Sequence, residues 1–172
     1  PPPAQSCAVI YATTTGTGNG TINNPASLQG AISLAQCNNS LIKLGTGTYT
    51  LSNPISNITS YTTIEGGYDP VTWVKTSAPG ATTIYRDATN VEGNPGTERI
   101  VAFYLNSQAY FRFHDITFQT ADCPNSSFQG GMSNYIFHLT SCSNYSFVRC
   151  IMRPGRGGNG ANGTAVGVAG SN

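Results

Sequence analysis

The chain has 172 residues, enough for one domain or part of one, and carries 8 Lys+Arg against 7 Asp+Glu for a net charge of +1. Charged residues make up 9% of it, against about 25% in an average soluble protein, which argues against a basic nucleic-acid binder, an acidic disordered tail and a charged coiled coil. With 20 Gly, 21 Thr, 16 Ser and 16 Asn it is poor in helix formers and rich in turn formers, yet 7 Phe and 9 Tyr supply a core, so an ordered all-β protein is expected.

In chain order, Cys7-Ala-Val-Ile-Tyr11 reads as a first strand and 13–20 as a small-residue loop. The one helix signal follows. Asn24 is placed to N-cap it, and Pro25 suits a first helical position, where its missing N–H costs nothing. Leu28, Ala31, Ile32 and Ala35 then fall on one apolar face. A helix over 25–36 is too short to stand alone and must pack on something. Short strands are expected at 41–44, 48–51, 62–65 and 82–85, with a turn at Gly66-Gly67 and loops at 68–74 and 77–80. A polar excursion over 86–99 holds Arg86, Asp87, Glu92, Glu98 and Arg99; it reads as a solvated connection.

The second half repeats itself. Laid over one another, residues 101–118 and 135–152 match Phe103 with Phe137, Leu105 with Leu139, Ser107 with Ser141 and Phe113 with Phe147. Val101/Tyr135, Phe111/Tyr145, Ile116/Cys150 and Phe118/Met152 agree in apolar or aromatic character. The alternation gives three short strands per repeat, separated by a broad corner near 106–110 and a tight one at His114-Asp115. Stacked turns of a coiled parallel sheet, ~4.8 Å apart, require such column-by-column matches. Such a coil exposes a strand edge at each end, and the 25–36 helix sits where a cap for the first end belongs. The reading is a single β-helix domain over 1–172: strand and cap in 1–40, turns in 41–152, and a Gly-rich segment in 153–172 beyond which the chain is expected to continue. Pro1-Pro2-Pro3 reads as a mature N-terminus.

Five cysteines leave at least one thiol unpaired. Cys7 at the first strand and Cys37 at the helix end are candidates for a bridge, which would close a loop of about 30 residues and contribute ~3 kcal/mol. Cys123 and Cys142 are candidates for a second, with Cys142 reaching outward from the broad corner. Cys150, in the column of Ile116, is expected to face the core as a small hydrophobe.

The runs NPASLQGAISLAQ, LIKLGTGTYTL and TTIEGGYDPVTW resemble the start of pectin-lyase-like right-handed parallel β-helix domains, in particular those that open large secreted surface adhesins of Bacteroidota. Ile42, Leu44, Gly47, Thr48 and Tyr49 match one strand motif; Ile64, Gly66, Gly67, Tyr68 and Trp73 match the next. The resemblance implies an all-β, right-handed parallel β-helix with a short N-terminal capping helix. It also implies a cell-surface, outer-membrane-associated setting reached by type IX secretion, and adhesion of the gliding-motility (SprB) kind. Surface polysaccharide, cell-surface or secretion-machinery proteins and the remainder of a longer chain are the implied partners.

Such folds also host lyases and glycosidases, which need paired carboxylates or a metal with a base. The seven acids, Glu65, Asp69, Asp87, Glu92, Glu98, Asp115 and Asp122, form no local cluster, and the paired-Asp and Gly-His-Gly motifs of polygalacturonases are absent. His114 and Asp115 are neighbours at a corner and should diverge rather than form a dyad. His138 aligns with Tyr104 on the outward face and reads as solvated. Tyr68 and Trp73 are candidates for stacking on a sugar, although bracing their loop against the body is the expected role. No Cys/His set has zinc spacing, and residues 155–160 lack the lysine and context of a phosphate loop. Arg149, Arg153 and Arg156 are too few for a nucleic-acid groove, and no apolar run is long enough for a membrane span. No catalytic, cofactor or metal residues are therefore expected. The function expected is a non-catalytic structural or adhesive module; the alternatives are a fragment of a carbohydrate-active enzyme or a carbohydrate-binding module.

Overall fold

A computed structural model describes residues 9–35, 39–76, 78, 80–126 and 130–162. Its elements are β1 (Val9–Ala12), α1 (Leu28–Leu34), β2 (Leu41–Gly45), β3 (Gly47–Leu51), β4 (Thr63–Tyr68), β5 (Thr82–Arg86), β6 (Arg99–Asn106), β7 (Arg112–His114), β8 (Thr117–Thr120), β9 (Ser133–Thr140), β10 (Ser146–Val148) and β11 (Ile151–Arg153). They form three sheets, in the orders β1-β2-β4-β7-β10, β3-β5-β8-β11 and β6-β9, and every strand pairing within them is parallel. The chain is thus an all-β parallel β-helix of about 4 turns with one short helix.

The 34-residue register expected for the second half is the observed one. Val101 pairs with Tyr135, Phe103 with Phe137, Leu105 with Leu139, Phe113 with Phe147 and Phe118 with Met152. Alternation within each short strand aims one set of side chains inward. Stacking turns those sets into columns: Ile10, Ile42, Ile64, Phe113 and Phe147 on one wall, and Tyr49, Ile84, Phe118 and Met152 on another. Phe103, Phe113, Phe118 and Phe137 meet in the middle, with ring centroids 4.8 to 5.5 Å apart.

Corners repeat as faithfully as strands. Asn39, Tyr61, Tyr110 and Asn144 all have positive φ, between 51° and 64°. Each stands two residues before a strand residue of one column: Leu41, Thr63, Arg112 and Ser146. Asp115 and Arg149 (φ 56° and 51°) do the same at the tight corner, and Ser107 and Ser141 (φ 56° and 52°) at the broad one. A left-handed residue reverses the chain abruptly, so each column of such residues sets an edge of the coil.

Several expectations need correction. Ser27, not Asn24, caps α1: its Oγ accepts from Gly30 N at 3.0 Å. Pro25 and Ala26 stay extended because Ala26 pairs with the edge of β1, donating to Tyr11 O and accepting from Thr13 N. The helix therefore starts later than 25, although Leu28, Ala31, Ile32 and Ala35 do form its core face. Gly66-Gly67 is not a turn but the end of β4. A Cβ on Gly66 would lie 2.6 Å from Asp115 O and 2.8 Å from Thr82 Cβ, so only glycine lets the turns approach here. Cys123 and Cys142 are free thiols. They donate to different carbonyls, Ser133 O and Leu105 O, and form no bridge. Cys142 packs against the core rather than reaching outward, while Cys150 is a free thiol packed against the core as expected. Cys7 and Cys37 lie outside the described residues.

Candidate functional site

Two of the acids that look scattered in the sequence, Glu65 and Asp115, meet on one lysine at a corner of the coil. Lys43, Glu65, His114 and Val148 share a row across the first sheet. The Lys75 ammonium pairs with Glu65 and, at 2.5 Å, with Asp115 Oδ2. From the turn beyond, Arg149 donates to Asp115 through Nε (2.5 Å to Oδ1) and Nη2 (2.8 Å to Oδ2). The Tyr68 hydroxyl donates to Glu65 Oε2 at 2.6 Å, and Lys43 lies over the Tyr68 ring, 4.7 Å from its centroid.

Lys75 is delivered by the excursion between β4 and β5. Asp69 folds its start, accepting from Val71 N, Thr72 N and the Thr72 hydroxyl. Lys75 then pairs antiparallel with Tyr68, and Thr76 N donates to Gly67 O. Trp73 anchors the excursion. It is 9% exposed and packs edge-on against Tyr11 at 4.7 Å. Tyr68 is buried as well. Neither ring is free to stack on a sugar; both brace the loop.

Electrostatics follow from this geometry. Hydrogen bonds from Arg149 dominate at Asp115, and with Lys75 they overcome burial and hold its pKa down at about 2. Burial pushes Glu65 up, but hydrogen bonds from Lys75 and Tyr68 outweigh it, so its pKa lies below the usual carboxylate range. Burial, reinforced by the Glu65 carboxylate, pushes the Tyr68 phenol up. A cleft of about 470 Å³ opens beside the cluster, with Gly67, Lys75, Gly80, Asp115, Arg149 and Ile151 among its lining residues.

His114 and Asp115 form no dyad: both Asp115 oxygens are taken by Lys75 and Arg149. The sequence did hold a partial signal for the cluster, because Asp115 and Arg149 occupy one column of the 34-residue repeat. Glu65 and Lys75 lie outside that repeat, and nothing local pointed to their joining it.

Two other readings change. Arg86 is fully buried, not part of a solvated connection. Its guanidinium donates to Val101 O (3.1 Å), Asp87 O (2.6 Å), Asn90 O and Glu92 Oε1 (2.6 Å), so the following loop is wrapped around it. His138 is half-buried between Tyr104 and Tyr135, with ring centroids at 5.0 and 5.8 Å, and its Nδ1 has no hydrogen-bond partner. A second, smaller cleft of about 300 Å³ beside α1 is lined by Thr13, Ser27, Gln29, Thr50 and Asn53, among others. Among the described residues, no group of three or more His, Cys, Asp or Glu is placed to hold a metal, and no helix is long and apolar enough to cross a membrane.

Comparison with protein-family models, with curated proteins and with solved structures gives no match.

Proposed function

We propose that the chain is a non-catalytic structural and adhesive module of a large cell-surface protein, as its motif resemblance to bacterial surface adhesins implies. The observation that carries this reading is the state of the Glu65–Asp115 pair. Glycoside hydrolysis by two carboxyl groups needs one of them protonated near neutrality, with a raised pKa. Here both are lowered, and Lys75 stands between them. The Tyr68 proton is held by Glu65, so this phenol is not a free base. The stacked coil suits a rod that displays or carries binding surfaces, and its low charge and richness in Thr and Asn suit an extracellular setting. Type IX export, a role in gliding or attachment, surface polysaccharide and secretion-machinery partners, and a longer chain belong to the same reading.

A second reading, a carbohydrate-active enzyme, is favoured by one fact: two carboxylates do converge beside a cleft. Incubation with a panel of plant and bacterial polysaccharides, followed by assay of new reducing ends and unsaturated products, separates the two. No product is expected. Turnover that disappears in Glu65→Gln or Asp115→Asn would establish the enzyme instead. Labelling of intact producing cells by an antibody against the chain tests the surface location.

A further inference from the structure

The cleft beside Asp115 and Arg149 has features that select a class of ligand. At about 470 Å³ it falls within the range of small-molecule sites, about 300–1,000 Å³. Its lining combines small positions, Gly67, Thr76 and Gly80, with Ile151 and the Asp115–Arg149 pair.

Its charged lining residues, Lys75, Asp115 and Arg149, are all ion-paired. Lys75 and Arg149 are matched by Glu65 and Asp115. An anionic ligand that took the Nε and Nη2 fork of Arg149 would draw it away from Asp115, whose side chain is only 19% exposed, and stranding a partly buried charge is costly. A cationic ligand would compete with two cations already in place. A neutral ligand disturbs neither pair.

The pairs still offer hydrogen bonds. Arg149 is 66% exposed, and its contacts with Asp115 use Nε and Nη2, which leaves Nη1 outside that pairing. The carboxylate has further lone pairs, and Thr76 can add a hydroxyl. Fixed donors and acceptors side by side match vicinal hydroxyls, each of which both donates and accepts. Ile151 offers an apolar surface for the C–H face of a ring.

From this we infer that the cleft binds one unit of a neutral saccharide, with vicinal hydroxyls on Asp115 and Arg149 and its C–H face on Ile151. The inference rests on the adhesive reading and gives it a contact point.

The test is a titration of the ¹⁵N-labelled chain with maltose, cellobiose and lactose, and with digalacturonate as the charged comparator, followed by amide NMR. The expected result is binding near 1 mM, on the order of −4 kcal/mol, by at least one neutral sugar. Its shifts should be confined to residues about Gly67, Thr76, Gly80 and Ile151 and be unchanged by added salt. Asp115→Asn, and independently Ile151→Glu, should each weaken it about tenfold. Absence of binding by all three neutral sugars, tighter binding of digalacturonate, or shifts elsewhere would each overturn the inference. None of these outcomes bears on the non-catalytic reading, which cleavage of a sugar would overturn, so the two failures are distinguishable.

Discussion

Arg149 sits one turn beyond Asp115 at the same corner and grips both of its carboxylate oxygens across 34 residues of chain. Each residue is in the left-handed region, which aims the two side chains out of the coil and along its axis toward one another. Asn tolerates that backbone as well as Asp does, so Asp115→Asn removes the charge without disturbing the corner. Because Arg149 is largely exposed, the loss is small and shrinks in high salt. Urea denaturation at two salt concentrations measures it.

The same carboxylate gives a pH dependence. Its pKa is about 2 in the folded chain and about 3.9 when unfolded. A lowered folded value means the contribution is fully present above the unfolded pKa and is lost as pH falls through the folded one. The stability difference between the native chain and Asp115→Asn should therefore be constant above pH ~5 and shrink toward pH ~2. A difference that grows on acidification would show the sign to be wrong.

Arg86 is a different kind of charge. With its side chain 0% exposed and Glu92 as its ionic partner, Arg86→Ala would orphan a carboxylate and several carbonyls at once. A loss of about 3–5 kcal/mol is expected, with early proteolysis between 87 and 98. Guanidinium denaturation and limited digestion with a glutamate-specific protease, which can cut at Glu92, report the two effects separately.

Position in the stack decides what a core column is worth. Phe118 is 0% exposed and Met152, its partner one turn on, is 41% exposed. Phe118→Ala should cost about 3–5 kcal/mol, whereas Met152→Ala should stay below about 1 kcal/mol. Thermal unfolding of the two variants makes the comparison.

Trp73 is the single tryptophan, so its fluorescence reads the excursion directly. Packed against Tyr11 and almost fully buried, it should emit at short wavelength, resist acrylamide quenching and be unaffected by sugars. Easy quenching, or a sugar-induced shift, would restore it as a stacking platform.

Thiol reactivity follows from burial, which pushes the Cys150 pKa up and does the same at Cys123. Both should alkylate more slowly in the folded chain than in urea, as mass spectrometry of partially labelled protein would show.

The coil was legible where turn followed turn without insertion. Residues 101–118 and 135–152 have equal spacing, so Phe103, Phe113 and Phe118 revealed their columns in the sequence. The earlier turns pair Leu41 with Thr63 and Thr63 with Arg112, over unequal lengths of chain, because excursions interrupt them; no fixed offset could reveal those pairings. The cap was read one turn of chain too early because Asn24-Pro25 is a good helix start locally, while the open edge of β1 competes for Ala26 and wins. The corner cluster was half legible, through Asp115 and Arg149. Its other half depends on a tertiary fold-back that brings Lys75 onto Glu65, and the buried role of Arg86 depends on carbonyls from both the following loop and β6, which no local pattern encodes.

On the proposed reading the converged carboxylates form a locked pair and not an acid–base pair. Carbon-detected NMR titration of Glu65 and Asp115 in the native chain tests it most directly. Asp115 should titrate at about 2 and Glu65 below the ordinary ~4.3; either carboxyl titrating near 6 or above, the range of a working general acid, would mark an acid–base pair instead.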